Sequence, residues 1–286
     1  MLTSLERQLP STSSRPVTQI TPGIPAADGA GVRLTRFVGT AALPILDPFL
    51  LLDRMHSDQP QDYLAGFPNH PHRGFETVTY MLAGNMRHED NKGHQGVIAP
   101  GGVQWMTAGR GIVHSEMPEQ TDGLLWGFQL WLNLPAAQKM TAPKYQEFDA
   151  SEIPEELRDG VTVRVIAGQT HQGTLGPIQP AATEVLYWDL ILDAGQTFRE
   201  PLPTGHNAFL VVYAGQVRIG GEEISTGKLA VLGAGDRLEL GSETGGRALL
   251  IAGKPLNEPV AHGGPFVMNT RAEVLQAQRD FLAGRF

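Results

Sequence analysis

Asn69-His70-Pro71-His72-Arg73-Gly74-Phe75-Glu76 and the later run Gly109-Arg110-Gly111-Ile112-Val113-His114-Ser115-Glu116 together decide how this chain reads. In an extended strand, residues two apart point to the same side. His70 and His72 therefore share a face, as do His114 and Glu116. Pro71 keeps the first pair extended, because it disfavours the helical region for the residue before it, and its missing N–H suits a strand start or a sheet edge. Brought together across a barrel, the two pairs would surround one point with three imidazoles and a carboxylate. That set suits iron, manganese, nickel or copper, and octahedral geometry would leave two positions for substrate or dioxygen. Zinc also takes such ligands, but a purely structural zinc fills a closed tetrahedron, usually with thiolates.

Taken singly, each of these histidines reads more readily as a core or surface residue bonded to backbone than as a ligand. Clustering shifts the balance, since several imidazoles buried on one face need a common partner to offset their desolvation. Glu76 competes with Glu116 for the carboxylate place, because it lies four residues after His72 and keeps the same parity if Gly74 introduces no bulge. Spacing leaves both open, and the one that is not a ligand could orient an imidazole or act as a base. His56, His88 and His94 lie in polar, turn-like sequence, so they read as solvent-exposed and receive no role. Met81, Trp105, Met106, Trp126, Phe128 and Trp131 read as barrel core, some of them available to line an apolar pocket around the metal.

Around these segments, 34 glycines and 21 prolines are spread along the chain and punctuate short runs of alternating apolar and polar residues. An all-β protein with many turns has this pattern, and strands are expected over 76–82, 104–107, 186–192 and 209–213. Gly220-Gly221 between Val217-Arg218-Ile219 and Glu222-Glu223-Ile224 reads as a tight hairpin turn. Helical signal is strong only near the C-terminus. There Thr270 and Glu273 have capping-box spacing, and Val274, Leu275, Gln278, Phe281 and Leu282 mark one face before Gly284.

At 286 residues, against a prior of roughly 150 per domain, the chain should hold two units. The stretch 135–160 has scattered charge and little β periodicity. The expected division is residues 1–140 for a metal-binding barrel, 141–160 for a connection and 161–286 for a second barrel ending in a short helix. Ala83-Gly84-Asn85-Met86-Arg87 resembles Ala214-Gly215-Gln216-Val217-Arg218 at an offset of 131, and Gly102 aligns with Gly235 at an offset of 133. These offsets carry His70 and His72 onto Pro201 and Pro203, and His114 and Glu116 onto Arg247 and Leu249, so one metal per chain is expected.

With 22 basic against 30 acidic residues, the chain carries −8 at neutral pH and has no basic cluster to bind nucleic acid directly. The absence of cysteine removes disulfides, iron–sulfur clusters and thiolate sites. The Ser-, Thr- and Pro-rich start has no apolar signal core, and no apolar run of about 18 residues occurs elsewhere. A cytoplasmic protein with no membrane contact is the expectation.

The two histidine segments, together with the run Gln104-Trp105-Met106-Thr107-Ala108, the run Gly127-Phe128-Gln129-Leu130-Trp131-Leu132-Asn133-Leu134-Pro135 and the run Gly264-Pro265-Phe266-Val267-Met268-Asn269-Thr270, resemble the pirin family over most of the chain. That resemblance implies two cupin barrels in tandem, each a double-stranded β-helix or jelly roll. It also implies one non-haem iron(II), held only in the N-terminal barrel by His70, His72, His114 and Glu116, with manganese, nickel, copper or zinc as alternative ions. Some bacterial pirin-like proteins resemble quercetin 2,3-dioxygenases, which implies a flavonol-like aromatic substrate, dioxygen as co-substrate and carbon monoxide release, with Glu116 or Glu76 accepting the substrate's proton. The family equally implies a competing, regulatory reading, in which the iron state changes a surface that binds a protein partner. A sugar-modifying cupin isomerase is a third and weaker reading, because those sites work with other flanking motifs.

Overall fold

Strands with one wet face alternate in burial, as in Ile112–Pro118, where His114 and Glu116 are buried and Val113 and Ser115 are half-buried, whereas strands covered on both faces, such as Phe75–Ala83 and Val103–Thr107, are buried almost continuously. The computed structural model describes residues 13–286, and residues 1–12 of the Ser-, Thr- and Pro-rich start lie outside it. The first half of the chain forms β1 (Val17–Pro22), β2 (Ile24–Asp28), β3 (Val32–Val38), β4 (Phe49–Ser57), β5 (Phe67–His72), β6 (Phe75–Ala83), β7 (Met86–Asp90), β8 (Gln95–Ile98), β9 (Val103–Thr107), β10 (Ile112–Pro118), β11 (Leu125–Asn133) and β12 (Lys144–Phe148). The second half forms β13 (Glu155–Arg158), β14 (Val161–Ala167), β15 (Leu186–Leu192), β16 (Gln196–Pro201), β17 (Asn207–Ile219), β18 (Glu222–Ser225), β19 (Lys228–Leu232), β20 (Arg237–Ser242) and β21 (Gly246–Gly253). A short hairpin, β22 (Ala261–Gly263) and β23 (Phe266–Met268), leads into α1 (Arg271–Leu282). All four expected strands are present, and Ile219 pairs with Glu222 across the Gly220-Gly221 turn, where Gly220 has φ +59°.

The two halves match strand for strand, as two cupin barrels should. The large sheet of the first runs β12-β9-β6-β11-β4-β3-β2, and that of the second runs β1-β19-β17-β21-β15-β14-β13. Facing them are β5-β10-β7-β8 in the first barrel and β16-β20 joined to the end of β17 and β18 in the second. The two large sheets pack face to face through Val78, Tyr80, Phe128 and Leu130 from one and Tyr187, Phe209, Val211 and Ile251 from the other. The Ala83-Gly84 and Ala214-Gly215 segments mark the same corner in each barrel, and both glycines have positive φ, 76° and 65°. No helix among the described residues is long and apolar enough to cross a membrane.

Strand pairing changes three details of the sequence reading. First, the match of Gly102 with Gly235 is accidental. Arg87 pairs with Met117 on β10, and its repeat partner Arg218 pairs with Gly241 on β20, which sets Leu238 and Leu240 where the first barrel has His114 and Glu116. Glu200, opposite Leu238, then stands where His70 does, rather than Pro201. Second, the chain ends cross over: β1, within 1–140, edges the sheet of the second barrel, while β12 and β13, within 141–160, edge one sheet each. Edge positions are open to any segment that can supply backbone partners, so chain order does not dictate them. Third, α1 has its capping box, with the Glu273 N–H donating to Thr270 Oγ1 at 3.2 Å, but it docks through Val274 and Ala277. Leu275, Phe281 and Leu282 of the expected face are exposed, with the Phe281 ring lying against those of Phe266 and Phe286.

The C-terminal segment returns to the first barrel. Arg73 Nη1 donates to Asp280 Oδ2 at 2.7 Å, its Nε donates to the Arg110 carbonyl at 2.6 Å, and its guanidinium lies 4.4 Å from the Phe286 ring centroid. Lys139 Nζ, buried, donates to the Gly74 and Val267 carbonyls and to Asn133 Oδ1 at 2.7–2.9 Å.

Candidate metal centre

Antiparallel pairing of β5 with β10 sets His70 opposite His114 and His72 opposite Ile112, so that the three imidazoles stand on one face. Their ring centroids are 4.6 Å (His70 to His72), 4.4 Å (His70 to His114) and 5.1 Å (His72 to His114) apart. One nitrogen from each lies within 4.8 Å of the others. His114 is fully buried and His72 nearly so, while His70 is half-buried. Burial, reinforced by the neighbouring imidazoles, pushes the His72 and His114 pKa values well below the ordinary one and keeps both rings neutral, with lone pairs available. His70 Nδ1 sits 2.8 Å from the Pro68 carbonyl, which makes it the protonated nitrogen and leaves Nε2 as an acceptor.

These rings lack what buried polar groups normally have. Neither nitrogen of His114 has a hydrogen-bond partner, and neither does Nδ1 of His72. Each such omission costs about 1–3 kcal/mol. A transition ion accepting three lone pairs would satisfy them together, so the donor set fits a mononuclear metal.

Glu116 is on the same strand face as His114, but the chain reaches it through an irregularity: between His114 and Glu116 the β5 register slips from His70 to Phe67. The carboxylate stands outside the three-imidazole cluster and crosses the barrel interior to the large sheet. There Thr79 Oγ1 donates to Oε1 at 2.9 Å and Gln129 Nε2 donates to Oε2 at 2.7 Å. Glu76 is placed differently from the parity expectation. Gly74, at φ +89°, ends one sheet and starts another, so strand parity does not carry from His72 to Glu76. Glu76 pairs with Thr107 on the face of Val78 and Tyr80, takes a 2.6 Å hydrogen bond from Thr107 Oγ1, and is raised in pKa by burial.

Sequence reasoning missed the row of polar side chains beneath the centre. In-register pairing aligns Arg36 (β3), Asp53 (β4), Gln129 (β11), Thr79 (β6), Gln104 (β9) and Glu147 (β12) across six strands of the large sheet. His88 joins its far end. It is buried rather than exposed, opposite Glu116 on β7, with Nε2 2.6 Å from Glu147 Oε2 and its ring stacked on Tyr145. His56 and His94 are exposed, as expected. The available signal was a charged residue at an inward position of an apolar strand, as Asp53 is in Phe49-Leu50-Leu51-Leu52-Asp53.

A cavity of about 620 Å³ opens beside the imidazoles. Its floor is the face of β3, β4 and β11 that carries Leu34, Arg36, Leu51, Asp53, Met55, Gln129 and Trp131, and its rim includes His70, His72 and, from the C-terminal hairpin, His262. Trp131, half-buried, meets His72 at 5.2 Å and His262 at 6.2 Å between centroids, while Met81, Trp105, Met106 and Phe128 are buried core.

The family model described as Pirin matches residues 31–132, and that described as Pirin C-terminal cupin domain matches residues 187–286. A Pirin-like protein of Caulobacter vibrioides is 56% identical, over 95% of this chain and 99% of its own length. A Pseudomonas aeruginosa protein, provisionally named quercetin 2,3-dioxygenase, is 51% identical over 96% of this chain and 98% of its own. The crystal structure of a quercetin 2,3-dioxygenase from Acinetobacter baumannii superposes with a TM-score of 0.89 at 35% identity, covering 96% of this chain and 99% of that one.

Proposed function

The chain belongs to the pirin family, and on that footing we propose that it is a mononuclear-metal dioxygenase of the quercetin 2,3-dioxygenase type. The observation that carries this reading is a set of three clustered, largely buried imidazoles, two of them pressed toward neutrality, beside a cavity lined in part by Leu34, Leu51, Met55 and the half-buried Trp131. His70, His72 and His114 hold the ion, with Glu116 as the fourth ligand; iron(II) is the proposed occupant. When bound, the ion lowers the pKa of the flavonol 3-hydroxyl and orients it toward dioxygen. Of the two expected carboxylates, Glu116 is assigned the substrate's proton, because Glu76 is tied to Thr107 on the other face of its sheet. Thr79 and Gln129 fix the Glu116 carboxylate, and His70 is fixed by Pro68. Trp131 and the leucines of the floor exclude water from the flat substrate. The heterocycle opens with both atoms of dioxygen entering the product and one ring carbon leaving as carbon monoxide.

The test is oxygen uptake and carbon monoxide release on mixing quercetin with protein reconstituted separately with iron, manganese, nickel and copper. Stoichiometric consumption and release with at least one ion is expected. No turnover with any of the four would overturn the enzymatic reading and leave the regulatory one.

A further inference from the structure

The cavity has a second polar end that the metal chemistry does not use. Arg36 and Asp53 are a direct cross-strand pair on its floor, and the next in-register residue is Gln129, which holds Glu116. Strand spacing sets Arg36 about 10 Å from Gln129. Asp53 lies between them in this row, and beside the row the floor turns apolar, with Leu51 next to Asp53 and Leu34 next to Arg36 on the same faces of their strands.

The guanidinium is only partly used. Nε donates to Asp53 Oδ1 at 2.8 Å, and Nη2 donates to Asp53 Oδ2 at 2.7 Å and to Asp28 Oδ2 at 2.9 Å. Nη1 has no partner among the described residues, although Arg36 borders the cavity. Bidentate pairing fixes the fork, so Nη1 is a pre-set donor rather than a swinging one. One cation against two carboxylates leaves this corner with a net negative charge. It therefore disfavours a carboxylate or phosphate on the ligand. An uncharged hydroxyl suits it, since its oxygen can accept from Nη1 while its proton goes to a carboxylate. Two neighbouring hydroxyls suit it better still, because each can take one of these partners.

We propose that Arg36 and Asp53 form a specificity subsite that reads hydroxyl groups on the ring of an aromatic substrate farthest from the metal. The inference rests on the proposed dioxygenase reading and names the substrate class as polyhydroxylated at both ends. Enzymes built to bond a substrate hydroxyl discriminate strongly against analogues lacking it, because the buried polar partners are then left unpaired.

The test uses the full chain loaded with redox-inert zinc and kept free of oxygen, so that ligands bind without being consumed. Kd is measured for three flavonols with two, one and no hydroxyls on the pendant ring, namely quercetin, kaempferol and galangin, from quenching of tryptophan fluorescence. Quercetin should bind at least about tenfold more tightly than galangin, with kaempferol between them. In Arg36→Lys, which keeps a cation but loses the free Nη1 donor, the quercetin-to-galangin ratio should collapse toward one. Asp53→Asn should narrow it as well, with thermal midpoints checking that both variants fold. Equal affinities for the three flavonols in the unaltered protein would overturn the subsite while leaving the dioxygenase reading intact. A ratio undiminished in both variants would do the same. Failure of all three flavonols to bind would overturn the subsite and the dioxygenase reading together.

Discussion

Replacing Gln129 with leucine removes one of the two hydrogen bonds that hold Glu116, without changing the size of the side chain much. Gln129 Nε2 lies 2.7 Å from Glu116 Oε2, and Thr79 Oγ1 lies 2.9 Å from Oε1, so the variant leaves a buried carboxylate with a single donor. A hydrogen bond to a charged group contributes about 1.5–3 kcal/mol, and each 1.4 kcal/mol is about tenfold in an equilibrium constant. If Glu116 is the fourth ligand, metal affinity should fall about 10- to 100-fold, the range found for partners that orient ligands from outside. Thr79→Val should act in the same direction. The two losses should combine non-additively, because both groups act on one carboxylate. The assay is competition against a chelator of known affinity, with circular dichroism confirming the fold. Unchanged metal affinity in Gln129→Leu and Thr79→Val would refute the assignment of Glu116 to the ion.

Three further outcomes follow from the fold. Arg73, with Arg285 and Gln276, holds the Asp280 carboxyl well below its usual range; a depressed native pKa means this contribution is complete above the unfolded value near 4 and is lost as pH falls below it. Asp280→Asn should therefore lose less thermal stability than the unaltered protein between pH 6 and pH 2, and equal losses would contradict the linkage. Gly74→Ala drives a Cβ into the Val267 carbonyl oxygen at φ +89°, so it should cost upwards of about 1–2 kcal/mol in urea unfolding and reduce bound metal, because the turn joins the His72 strand to the large sheet. Phe209, fully buried between the barrels and edge-on to Phe49 at 5.1 Å, should cost about 3–5 kcal/mol on truncation to alanine, read from the urea midpoint.

The barrel architecture was legible because local signals agree with it. Alternation named the strands, Gly220-Gly221 named a hairpin, and Pro71 kept the first histidine pair extended. The imidazole cluster was legible for the same reason, since parity within one strand survives folding. What failed was parity carried across a break: Gly74 moves the chain between sheets, and Glu76 lands on the face opposite Thr79. His88 looked exposed because its neighbours Arg87 and Glu89 are polar, yet alternation turns it inward toward Glu147. Long-range register was out of reach from sequence, and it is register that aligns Arg36, Asp53, Gln129 and Thr79 from four separate strands. Edge pairing was equally hidden, so β1 was counted with the wrong barrel.

The most direct test of a metal held by side chains from β5 and β10 is the amount of iron retained per chain after anaerobic loading and exhaustive dialysis, compared between the unaltered protein and His114→Ala. Close to one iron per chain in the former and almost none in the latter is the predicted result. Equal retention by the two proteins would contradict it, because among the described residues His114 is the one imidazole with both nitrogens buried and unpartnered.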